Sequence, residues 1–178
     1  MTQGKGESSG SWITAEMRSI IGRRFNTASS FPISRSDIRR WAISVYYPEL
    51  PPAIYWDESA AAAGPYGGIV APEDFNPFAW ASEEPGITTR QATLDGDYLE
   101  RQLGIEGPGL PTSLNGGMAT TYGARMRPDD VISASSEIVD YAEKSGRMGR
   151  ILITIVRTTW ANQRDLMVKQ TDQTAIRY

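Results

Sequence analysis

Tyr55 and Trp56, followed directly by Asp57 and Glu58, bring aromatic surface and an acid pair into one short stretch of the chain. Two neighbouring carboxyls can divide general acid and general base work between them. Asp57 has a second and stronger reading: it heads the run Asp57–Ala63 (DESAAAA), where an aspartate caps a helix. A further group is Phe75, Asn76, Phe78 and Trp80, in the unusually aromatic run FNPFAW. Aromatic walls with a few polar groups suit a pocket for an apolar ligand, and suit a core or a subunit interface equally well. Asn115 offers an amide beside Gly116 and Gly117, though a turn is the simpler use of that triplet. Arg125, Arg127, Arg147 and Arg150 carry guanidinium forks that fit phosphate, yet surface arginines are more often simply solvated.

The residue types that are missing narrow the chemistry further. The 178 residues contain no histidine and no cysteine. That removes disulfides, thiolate nucleophiles, thiolate metal sites and the imidazole that most hydrolytic and hydratase chemistry uses near neutral pH. Ser59 and the other serines therefore have no histidine to activate them. Asp95-Gly96-Asp97 matches a fragment of a calcium loop, but the rest of that loop is absent. No metal site or cofactor is expected in the chain itself.

These residues need elements to hold them. Residues 1–10 are Gly/Ser-rich and expected to be disordered. Trp12 to Ile21 reads as a short helix stopped by Gly22, and Phe25 to Ile33 as an extended segment. Ser36 is the expected N-cap of the clearest helix, with Ile38, Trp41, Ala42 and Val45 spaced as a core-facing stripe that ends before Pro48. Gly64-Pro65 closes the next short helix, and Gly67-Gly68-Ile69-Val70-Ala71-Pro72 turns into the aromatic run. Residues 82–116 are rich in turn formers, with a possible helix around Tyr98 to Leu103. Beyond that the pattern becomes β, with strands over 117–126, 131–144, 148–161 and 165–177 separated by turn-like segments of three or four residues. The 148–161 strand carries Ile151, Ile153 and Ile155 on one face and Leu152, Val156 and Trp160 on the other, so it belongs in the middle of a sheet. Helices first and a long antiparallel meander after them make an α+β chain.

Composition sets the remaining bounds. A net charge of −3 and a pI near 5.1 argue against nucleic acid or an anionic membrane as the main partner. The polar start has no signal-peptide core, and no apolar run approaches the length of a membrane span. The expectation is a soluble, cytoplasmic protein.

In order and spacing, these segments resemble the N-terminal half of the MaoC-like (FAS1-like) dehydratases. The matching words are Ile38-Arg39-Arg40-Trp41-Ala42, then Tyr55-Trp56-Asp57 with the alanine-rich helix, then Gly67-Gly68-Ile69-Val70-Ala71-Pro72. After the long loop come Leu114-Asn115-Gly116-Gly117, Tyr122, Arg127-Pro128-Asp129-Asp130-Val131 and Asn162. The resemblance runs from about Trp12 over nearly the whole chain. It implies a hot-dog fold, a curved antiparallel sheet wrapped around a central helix, as one domain over residues 11–178.

The family hydrates trans-2-enoyl thioesters in the R sense with an Asp and a His from the motif D-x-N-P-L-H-x-D, which share one water. One group activates the water and the other delivers a proton to the α-carbon. The corresponding stretch here is Leu50-Pro51-Pro52-Ala53-Ile54-Tyr55-Trp56-Asp57. Tyr55 stands where the histidine would be, the dyad's aspartate has no counterpart, and only the downstream Asp57 remains. A phenol of pKa about 10 is a poor base at neutral pH.

The resemblance therefore implies the non-catalytic, acyl-binding subunit of a heteromeric (R)-specific enoyl-CoA hydratase or hydroxyacyl-ACP dehydratase. A partner MaoC-like chain would supply Asp and His, most simply in a heterotetramer, acting in fatty-acyl or steroid side-chain metabolism. Tyr55, Trp56, Phe75, Asn76, Phe78, Trp80 and Asn115 are the expected substrate contacts. A stand-alone hot-dog thioesterase using Asp57 or Asp74, and an acyl-binding scaffold homodimer, are the alternatives.

Overall fold

The computed structural model describes residues 10–79, 95–146 and 149–178. Its frame is one antiparallel sheet of five strands: β1 (Arg24–Ser29), β2 (Ser113–Tyr122), β3 (Ile132–Gly146), β4 (Gly149–Asn162) and β5 (Met167–Arg177). In space they run β1-β3-β4-β5-β2, so β4 lies in the middle, as its two apolar faces predict. The turns between them are built by short polar side chains. Before β3, Asp130 accepts the Arg127 N–H at 2.8 Å, and after β4, Asn162 accepts the N–H groups of Arg164 and Leu166. Asp129 and Asp165 take φ of 66° and 57°, a region Asp tolerates better than most residues.

Period-two alternation sorts the sheet into two faces. Leu152, Thr154, Ile138, Tyr141 and Arg177 are buried on one face, whereas Ile151, Ile153 and Ile155 keep part of their surface. Two apolar clusters lie on the buried side. One joins Ile38 and Ala42 of helix α2 (Arg35–Tyr46) to Tyr55, Val70, Phe75, Met126, Ile132 and Val168. The other joins Met17 and Ile20, on and beside the short helix α1 (Ala15–Ser19), to Phe25, Leu103, Ile138, Tyr141 and Leu152.

Several boundaries move from their expected places. Ser34, not Ser36, caps α2: its hydroxyl accepts the Asp37 N–H at 3.0 Å and donates to the Asp37 carboxylate at 2.7 Å. Val45 is 56% exposed, so the core stripe of α2 stops at Ala42. Strand β2 starts four residues earlier than its pattern suggests, because pairing with β5 continues to Ser113 opposite Arg177. Helices α3 (Glu58–Ala63) and α4 (Tyr98–Gln102) fall where expected. No helix among the described residues is long and apolar enough to cross a membrane.

Candidate functional site

The stretch that should carry the acid–base pair is held tightly and offers none. Pro51 and Pro52 rule out a continuing helix, and a 3₁₀ turn over Ala53–Tyr55 swings the Tyr55 ring inward. There it packs beside Tyr46, with ring centres 5.9 Å apart. Burial, and then the neighbouring Tyr46 hydroxyl, push the Tyr55 phenol above its ordinary value, while Arg125 pulls the other way. A phenol held neutral in this manner does not serve as a base near pH 7. Asp57 accepts the Ala60 N–H at 2.9 Å, so its carboxylate caps α3. Trp56 donates its indole N–H to the Pro51 carbonyl at 3.0 Å and leaves part of its ring facing a hollow shared with Tyr55, Arg39 and Ile69. No cluster of His, Cys, Asp and Glu among the described residues is suited to a metal ion.

The aromatic run divides between core and surface. Phe75 is fully buried, edge-on to Trp41 with centroids 5.6 Å apart. Phe78 is half-buried and meets Trp160 of β4 in a T-shaped contact at 5.1 Å. Asn76 accepts the Phe78 N–H at 3.0 Å, which fixes the turn that presents Phe78. Lys169, which the sequence does not single out, joins this patch with Trp160, Tyr122 and Asp74. The Lys169 ammonium lies 5.0 Å from the Trp160 ring centre and 5.6 Å from that of Tyr122, and Tyr122 donates to Asp74. The Asp74 carboxylate pushes the Tyr122 phenol up to about 12. Trp80 and Arg147 lie outside the described residues.

Asn115 is elsewhere, on the exposed edge strand β2, where its side-chain oxygen accepts the Gly117 N–H at 2.9 Å. It shapes a bulge between Asn115 and Gly117. A Cβ on Gly116 would come within 2.9 Å of Ile176 and Thr174, so glycine is required there.

A second hollow of about 400 Å³ opens on the buried face of the sheet, among Phe25, Leu99, Val156, Ala175 and Gln173. On its floor the Ser136 and Thr158 hydroxyls bond to each other at 2.9 Å. Its wall is α4 and the preceding turn, pinned by a wholly buried ionic cluster. Arg177 donates to both Glu100 oxygens at 2.7 and 3.0 Å, to Asp97 at 3.1 Å, to the Gly96 carbonyl at 2.8 Å and to Thr154 at 2.9 Å. Tyr141 adds a bond to Glu100 at 2.8 Å, and its phenol is pushed up by burial and then by that carboxylate. Asp97 also accepts the Gly109 N–H. The clamp cannot be read from the sequence, because Glu100 of α4 and Arg177 at the end of β5 lie 77 residues apart and meet only where α4 packs against the sheet.

The five-stranded antiparallel sheet and the helices packed on it define a hot-dog domain. The family description "FAS1-like, dehydratase domain region" matches residues 19–171, and the chain belongs to that family. Among solved structures, a chain of the ChsH1–ChsH2 complex from Mycobacterium tuberculosis is similar, with a TM-score of 0.64 and 17% identity over 92% of this chain and 89% of that one. A MaoC-like dehydratase from Rhodospirillum rubrum gives 0.56 and 18% over 89% and 92%. The HadBC (3R-hydroxyacyl-ACP dehydratase) complex, also from M. tuberculosis, gives 0.52 and 19% over 86% and 92%. No curated protein matches the sequence.

Proposed function

We propose that this chain is the acyl-binding, non-catalytic subunit of a heteromeric (R)-specific enoyl-thioester hydratase. The observation that carries the reading is the state of the acid–base position: a buried Tyr55 phenol pushed upward, and an Asp57 carboxylate already committed to a helix cap. The reaction needs one group to deprotonate water and another to protonate the α-carbon, and a partner MaoC-like chain would supply both. Two of the similar structures are complexes of two named components, which supports a partner chain.

Strand β2 provides a surface for that partner. It is an edge strand of ten residues, exposed along nearly its whole length and without a single charge, and it shows Met118 (68% exposed) and Leu114 (49%) to solvent. Edge strands that work alone usually carry lysine, proline or other charges that discourage pairing. In this reading Trp56, Asn76 and Phe78 meet the acyl group and Tyr55 and Phe75 back the wall; Trp80, outside the described residues, and Asn115, on β2, are the further contacts proposed from the sequence. The complex is proposed to be a heterotetramer, with a fatty-acyl or steroid side-chain thioester as substrate.

The test is expression of the chain alone and together with a MaoC-like chain carrying D-x-N-P-L-H-x-D, following loss of enoyl-CoA absorbance. Hydration by the pair only is the expected result. Hydration by this chain alone would contradict the reading, and release of free thiol from acyl-CoA by this chain alone would favour a thioesterase.

A further inference from the structure

One row of side chains crosses the buried face of the sheet and consists only of hydroxyls. Register places Ser136 of β3 opposite Thr158 of β4, Thr158 opposite Thr171 of β5, and Thr171 opposite Thr120 of β2. Directly paired residues share a face and neighbouring strands lie about 4.8 Å apart, so the file runs about 14 Å over four strands. The hydroxyls bond in two couples, Ser136 with Thr158 at 2.9 Å and Thr120 with Thr171 at 3.3 Å. The rows on either side differ in kind. One carries Trp160, Lys169 and Tyr122, and the other Ile138, Val156, Gln173 and Met118.

Half of this file is the floor of the hollow of about 400 Å³, whose walls include Phe25, Leu99, Val156 and Ala175. That volume suits a small organic molecule, and apolar walls with a few polar groups are the usual lining of such a site. A hydroxyl carries one proton, so two hydroxyls bonded to each other spend one of their two. The Ser136–Thr158 couple therefore keeps a donor, and among the described residues it has no other partner. Ser136 is buried, and an unmatched buried donor costs stability, so the floor calls for an acceptor oxygen. The charges at the hollow are already matched, Arg177 by Glu100 and Asp97, and Asp95 by Arg101. The fitting acceptor is thus a neutral oxygen and not an anion.

We infer that the Ser136–Thr158 floor is a polar subsite for a ketone or alcohol oxygen on an otherwise apolar molecule. The oxygen accepts the couple's unspent proton while the carbon skeleton packs on Phe25, Leu99 and Val156. The subsite rests on the sheet alone; what occupies it rests on the hydratase reading. Thr158 and Trp160 are neighbours on one face of β4, and Trp160 meets Phe78, so the floor adjoins the aromatic patch. Under that reading the occupant is the distal part of the acyl group. The substrate class is then an acyl thioester with an oxygen function away from the thioester, not a plain alkyl chain.

Calorimetric titration of the full chain with 2-decalone, 2-decalol and decalin-2-carboxylate tests the subsite without any activity measurement. Saturable binding of the ketone or the alcohol is expected, with the carboxylate weaker by about tenfold or more. Thr158→Val keeps the shape, removes the hydroxyl and should weaken binding about fivefold or more. Ser136→Ala, a second route to the same loss, should weaken it similarly. Thr159→Val, one residue along β4 and on the opposite face, should leave it unchanged. Three results would overturn the inference: no saturable binding at about 1 mM, equal losses in Thr158→Val and Thr159→Val, or the carboxylate binding as tightly as the ketone. The acyl assignment has its own readout in the assembled pair. An enoyl thioester with a distal ketone should lose about fivefold or more in kcat/KM in Thr158→Val, and the matched substrate without the ketone should not. Equal losses for the two substrates would overturn that assignment. Absence of hydration altogether would sink the hydratase reading and leave the subsite to be decided by the titration.

Discussion

At the scale of single residues, the account turns on Tyr55 and Asp57 being structural. If Tyr55 acted as a base, its loss would lower the rate by the hundred- to ten-thousandfold that general acid–base groups supply. Tyr55→Phe should instead change hydration by the assembled pair less than about tenfold, and the acid limb of its pH–rate profile should stay in place. Asp57→Ala should lower stability by about 1 kcal/mol through loss of the cap, a fall in Tm of about 2–4 °C for a chain of this size, read by thermal unfolding. Asp57→Asn should restore most of it, since asparagine caps nearly as well. That Tyr55 stands where the resemblance expects a histidine is a reading of residue identity and position alone. Its burial against Tyr46 was not, because that depends on where α2 ends and where the 3₁₀ turn begins.

At the scale of elements, the least expected feature is the clamp that joins α4 to the last strand. Its members are nearly solvent-free: Arg177 is 1% exposed and Glu100 0%. Removing one partner of a buried ion pair strands the other, which typically costs about 3–5 kcal/mol. Arg177→Met should do so in urea unfolding, and adding Glu100→Met should recover part of the loss rather than add to it. Equal, additive losses would mean the two side chains are not coupled. Alternation made the four long strands and the central place of β4 legible in the sequence, and composition gave the alanine-rich α3. The clamp was not legible because its charges come from positions 97, 100 and 177, and a charged residue in a strand ordinarily reads as solvent-facing. The same limit hid Lys169, Trp160 and Tyr122, which share a patch only through register.

At the scale of the whole molecule, the sheet has a long uncharged edge, and the chain has no histidine for the Asp/His pair that the resemblance calls for. These features fit a chain that completes an enzyme without performing its reaction. A lysine on the edge should interfere with a strand that pairs there. Thr121→Lys should weaken association with the catalytic chain by about tenfold or more, equivalent to about 1.4 kcal/mol, in sedimentation or calorimetry, while far-ultraviolet circular dichroism of the isolated chain stays unchanged. Unaltered association would move the partner surface away from β2.

The most direct test of the central claim is a stoichiometric titration. A fixed amount of the partner chain carrying the Asp/His dyad is mixed with rising amounts of this chain, and enoyl-thioester hydration is followed. The account predicts no hydration by this chain alone and a rate that climbs and saturates at a fixed ratio of the two. Hydration by this chain alone, undiminished when the partner's dyad is mutated, would contradict it.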